Sequence, residues 1–129
     1  MPFTLTPALR RTLHLDAMMS GAAALLLVFA AAPLSRLLAL PEELLFWAGV
    51  ILVTFVVMLL VIAARKVLPR LLLMDVVLLN AVWAVLSFAL LASGWVSPNL
   101  LGMVFVSAQA CAVALFALLQ FAAMREAQS

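Results

Sequence analysis

Residues 71–92 read LLLMDVVLLNAVWAVLSFALLA, an unbroken apolar run with one charge, Asp75, and neither glycine nor proline. As a helix it would be about 33 Å long, enough to cross a hydrocarbon core of about 30 Å. Three further runs, 13–32, 44–64 and 100–123, take up most of the remaining chain. None alternates with the period of two that a membrane barrel requires, and backbone groups in lipid must bond within their own segment. The sequence therefore predicts an all-α integral membrane four-helix bundle, one transmembrane domain over residues 1–129. Composition agrees: 70% of residues are hydrophobic and 9% charged, whereas soluble domains hold about 45–50% and 25%.

The gaps are short. Residues 1–12 read as a polar leader, and Pro33 as the end of the first span. The segment 34–40 lies between two prolines with Arg36 as its one charge, which suits the membrane interface. Pro41-Glu42-Glu43 opens the second span, with carboxylates at the positive end of the helix dipole. In the last gap Gly94 suits a left-handed cap, and Ser97 is placed to cap a helix opening at Pro98. Arg10 and Arg11 before a run ending in Ala30-Ala31-Ala32 could mimic a cleavable or twin-arginine leader. Pro33 directly after the small residues opposes cleavage.

Charge gives an expected orientation. Arg10, Arg11, Arg65, Lys66, Arg70 and Arg125 fall on one side of a four-span chain, and only Arg36 on the other. The positive-inside rule then puts both termini and the middle turn in the cytoplasm. Phe46, Trp47 and Trp95 fall at the far interface, where aromatic rings sit well. The basic residues are split among three membrane-flanking segments, which fits anionic lipid headgroups rather than nucleic acid.

An internal repeat is visible at an offset of 59. Arg11 through Asp16 matches Arg70 through Asp75, Phe29 matches Phe88, and Ala63-Ala64 matches Ala122-Ala123. Pro41 and Pro98 open the second helix of each half, two residues out of register. Two spans per half would give two parallel-repeat helical hairpins about an axis along the membrane normal. The plainer reading is that two apolar hairpins resemble each other by composition.

Polar residues within the spans are the candidates for chemistry. Asp16 and Asp75 come first, because ionisable groups in spans are costly and often functional. Each is expected near a cytoplasmic helix start, where it either complements the dipole and pairs with an upstream base, or forms a proton- or cation-binding pair with the other. Asn80, Trp83 and Ser87 share one face of the third span, with Asp75 about 140° away from it. On the fourth span Gln109 and Gln120 share a stripe with Gly102, Val113 and Phe116, and Gln109 is a plausible partner for Asn80. These five side chains serve either as interhelical glue or as the lining of a polar cavity. Ala17, Gly21 and Ala24 on the first span, and Ala110, Ala114 and Ala117 on the fourth, form small-residue faces. Close packing of those two helices, or dimerisation through one of them, is expected.

Other chemistries are not expected. One His and one Cys cannot build a usual metal site within the chain. His14 could hold haem only with a partner from another chain, and reads more simply as an interfacial histidine. Cys111 reads as a small apolar filler. No phosphate loop, no nucleophile–base grouping and no HExxH motif occurs. Neither catalysis nor a cofactor is expected.

The Arg-Arg, Leu-Asp-Ala and Ser-Gly-Ala elements within 10–22, Leu-Pro-Glu-Glu at 40–43, Asn80-Ala81-Val82-Trp83, and Ser93-Gly94-Trp95-Val96-Ser97-Pro98 with Gln109 beyond form a pattern. It resembles a family of small four-span bacterial membrane proteins of uncharacterised activity. The resemblance covers most of the chain and implies four spans but no activity. Small multidrug exporters are similar in size and span count, but carry a Glu inside the first span where this chain has only Asp16. Two functions follow as expectations. One is a non-enzymatic accessory or structural membrane protein, acting through helix contacts with itself or a larger complex. The other is a small transporter or membrane ligand-binding protein using the polar faces of the third and fourth spans.

Overall fold

The computed structural model describes residues 2–128. Its elements are β1 (Pro2–Thr4), α1 (Pro7–Phe29), α2 (Ala31–Leu38), α3 (Glu42–Ala63), β2 (Val67–Pro69), α4 (Arg70–Ser93) and α5 (Leu100–Gln128). The long helices α1, α3, α4 and α5 form the all-α bundle, joined by the short α2 and a three-residue ribbon. All four are long and apolar enough to cross a membrane, so by length and composition the chain is a multi-pass membrane protein. α1 packs chiefly on α3 and α4 on α5, giving two hairpins that meet through α1, α2 and α5.

The first span differs most from expectation. The residues taken as a polar leader are largely structured: α1 starts at Pro7 rather than 13. The Thr6 hydroxyl caps it, accepting from the Leu9 N–H at 3.2 Å, and Pro7 occupies the first turn. Upstream, β1 pairs antiparallel with β2, Phe3 opposite Leu68, so the leader and the middle turn form one ribbon. Nor does the span end at Pro33. A proline ring inside a helix clashes with the carbonyl four residues back, and here that residue is Phe29, the last of α1. Pro33 itself sits in the first turn of α2, which ends at Ala39 in the left-handed region (φ 57°).

Each end of the bundle is tied by polar contacts. At the ribbon end, the Arg10 guanidinium donates to the carbonyl of Ala63, the last residue of α3, and to that of Arg65 just beyond it. A cation suits that negative helix terminus. At the other end α5 is capped by Asn99, not by Ser97: its Oδ1 accepts from the Gly102 N–H at 2.8 Å. The same side chain donates to the Leu37 carbonyl at 2.8 Å, and its backbone N–H to that of Leu38 at 3.2 Å, clamping α2 onto α5. Gly102 permits this approach, since a Cβ there would stand 2.2 Å from the Leu38 carbonyl oxygen. Gly94 closes α4 with φ 80°, the left-handed cap expected of it.

The expectation for the small-residue faces is met in part: α1 packs on α5, and Ala17, Ala24, Ala110 and Ala117 are buried. Gly21, however, faces Val56 of α3 rather than α5, and α1 comes close to α3 at Gly49, whose Cβ would meet Leu27 at 2.8 Å. The buried core divides in two. Leu9, Leu13, Leu59, Ile62, Val76 and Met124 lie toward the ribbon, and Ala24, Leu27, Leu38, Leu45, Leu52 and Val106 toward α2.

Candidate functional site

Between the two hairpins lies a buried polar centre built on Asp16. Counted from Pro7, Asp16 is about 14 Å along α1, well inside the span rather than at its edge. Its side chain has no exposed surface, and Ser20, Asn80 and Gln120 around it are all buried. Ser20, one turn on along α1, donates its hydroxyl to Asp16 Oδ1 at 2.9 Å. From α4, Asn80 Nδ2 donates to Asp16 Oδ2 at 2.9 Å and to Gln120 Oε1 at 2.9 Å. From α5, Gln120 Nε2 donates to the same Asp16 Oδ2 at 2.8 Å. Three helices thus converge on one carboxylate. All of its partners are neutral, and among the described residues no basic side chain pairs with it. Among those residues, too, no buried side-chain nitrogen or oxygen lacks a partner.

A second polar set joins α4 to α5 further from the ribbon. Trp83 donates its indole N–H to Gln109 Oε1 at 2.9 Å. Gln109 Nε2 donates to the Ser87 hydroxyl oxygen and to the Val106 carbonyl, both at 2.9 Å. Ser87 in turn donates to the Trp83 carbonyl at 2.8 Å. Gln109 therefore bonds Trp83 and Ser87, not Asn80 as the sequence suggested, and the polar face of α4 is divided between two glutamines of α5.

Trp83 and Gln109 stand where two lateral clefts meet. One, of about 700 Å³, runs between α3 and α4 past Ala48, Leu52, Ser87 and Leu90. The other, of about 600 Å³, runs between α1, α2 and α5 past Met19, Leu37, Val104 and Phe116, and Ser20 is part of its wall. Both are lined mainly by apolar side chains. Asn80 and Gln120 line neither.

The remaining candidates lie elsewhere. Asp75 is exposed on α4, has no ion pair among the described residues, and does not join Asp16. The expected pairing with Arg70 or Lys66 is thus not made. His14 is exposed beside Arg10 and Arg11, and Cys111 is exposed on α5 rather than filling a core. The sequence reading overlooked Ser20, although its i+4 spacing from Asp16 placed it on the same helix face. It also passed over Asn99 as a cap, with Gly102 three residues on as the signal.

Fold and site define a multi-pass helical bundle locked by a buried carboxylate–amide network. No protein-family model matches the chain, and comparison with curated proteins and with solved structures gave no match.

Proposed function

We propose that this protein is a non-enzymatic accessory protein of the bacterial inner membrane, acting through helix contacts with itself or a larger membrane complex. The observation that carries the reading is that its deep polar side chains are spent on one another: Asp16, Ser20, Asn80 and Gln120 bond mutually and are buried. Such bonds fix helices relative to each other in a solvent that gives apolar packing no driving force. The outward surface is broad and apolar, as in Met18, Leu71, Val85 and Leu118. The six basic residues at the ribbon end support cytoplasmic termini.

A second reading, a membrane ligand-binding protein or small transporter, is favoured by the two clefts at Trp83 and Gln109. Photo-crosslinking residues at Ile51, Leu86 and Val104 in native membranes separate the two. Protein adducts of discrete mass, confined to particular faces, support the accessory role. Adducts to lipid alone, with a small molecule co-purifying in fixed ratio, would replace it with the ligand-binding one.

A further inference from the structure

The Asp16 centre surrounds a buried carboxyl group with neutral donors only. Asp16 accepts from a hydroxyl and two amides, donors that carry no formal charge. Removing an ionised carboxylate from water costs far more than neutral donors return, so deep carboxylates pair with cations or take up a proton. Within ion-pairing reach there is no basic side chain among the described residues.

The groups around Asp16 are those a small hard cation requires. The carboxylate supplies two oxygens, Ser20 a hydroxyl oxygen, and Asn80 and Gln120 one amide oxygen each, brought together from α1, α4 and α5. Oxygen donors of this kind suit hard cations rather than soft metals. Both amide nitrogens now stand 2.8–2.9 Å from Asp16 Oδ2. Terminal amide torsions are soft and roughly two-fold, so half a turn exchanges nitrogen for oxygen without moving a helix. A single carboxylate balances a single positive charge, and a divalent ion would leave net charge in the span. The second cleft adjoins this centre, since Ser20 belongs both to it and to the wall of that cleft.

We propose that Asp16, Ser20, Asn80 and Gln120 form a binding site for one sodium-sized monovalent cation, set between the two hairpins. With the ion bound, the amide oxygens face inward and the network changes from hydrogen-bonded to coordinated. Occupancy thereby sets how firmly α1 is held to α4 and α5.

The test uses the full chain purified in detergent. Radiolabelled sodium should bind saturably at about one ion per chain, and Tm should rise with the logarithm of sodium concentration when N-methylglucamine chloride holds ionic strength constant. Asp16→Asn should abolish both effects. Ser20→Ala, which keeps the carboxylate and both amides, should shift the sodium titration to higher concentration, and it serves if Asp16→Asn does not fold. Absence of saturable sodium binding by folded wild-type protein overturns the proposal. So does a Tm that rises on acidification at every sodium level alike, which would assign the site to a proton. A sodium response that survives in folded Asp16→Asn would overturn it by placing the cation elsewhere.

Discussion

Replacing Asn80 with leucine tests whether the buried network holds the hairpins together. Leucine branches at Cγ as asparagine does but is the larger side chain, so the change removes hydrogen bonds and crowds the site rather than opening a cavity. Two bonds disappear, to Asp16 Oδ2 and to Gln120 Oε1. Interhelical hydrogen bonds inside membranes contribute about 0.6 kcal/mol on average and up to about 1.7. The loss also strips Gln120 Oε1 of the one donor it has in this network, and a buried acceptor left unpaired costs about 1–3 kcal/mol. Because these terms overlap, the expected destabilisation is about 2–4 kcal/mol. Equilibrium unfolding from mild detergent into dodecyl sulfate, followed by tryptophan fluorescence, measures it. Asp75→Asn is the internal control: an exposed carboxylate with no ion pair among the described residues should change stability by less than about 0.5 kcal/mol. A double-mutant cycle of Asn80→Leu with Gln120→Leu should show a coupling of about 0.5–3 kcal/mol. If Asn80→Leu is as stable as wild type, or the cycle shows no coupling, the network is not what joins the hairpins.

Gly102→Ala drives a Cβ into the Leu38 carbonyl and should destabilise by about 1–3 kcal/mol in the same assay. Gly21→Ala, whose Cβ would meet Val56 at an ordinary 3.8 Å, should be close to neutral. Gln109→Leu leaves the Trp83 indole N–H without its acceptor, so a Trp83-only protein should show a shifted emission maximum, and an unchanged spectrum would count against that bond. A reporter fused after Ser129 should read as cytoplasmic, and neutralising Arg65, Lys66 and Arg70 together should give mixed orientation. Periplasmic signal from the unaltered chain would reverse the assigned topology.

What was legible in the sequence was what a single helix carries. Apolar length placed all four spans, and the left-handed cap at Gly94 followed from residue type. The polar members were identifiable too, because polar side chains in apolar runs are few. Their pairing was not. Asn80, Trp83 and Ser87 share a face by periodicity, but which glutamine of α5 meets which of them depends on the relative shift of two helices. No one-helix pattern contains that shift. The Asp16–Asp75 equivalence failed for a related reason. The sequence offset of 59 aligns the two residues, whereas the helix starts, Pro7 and Arg70, are 63 apart. Asp75 therefore sits one turn nearer its helix start than Asp16 does, and exposure replaces burial. The depth of Asp16 was misjudged because Arg10 and Arg11 looked like a leader. One of them instead caps α3 from within α1.

The two hairpins illustrate how a bundle acquires a unique arrangement in lipid. Within the hairpins α1 reaches α3 through α2, and α4 reaches α5 through residues 94–99. Residues 64–69 tie α3 to α4 just as closely, so connection length alone does not decide which helices pair, and apolar side chains gain little by leaving acyl chains for one another. The polar contacts between hairpins occur at three levels. β1 pairs with β2 at one end, Asp16 meets Asn80 and Gln120 in the interior, and Asn99 clamps α2 at the other end. Only the middle level contains an ionisable side chain, so the cation proposed for it would act there while the two ends hold the hairpins in register.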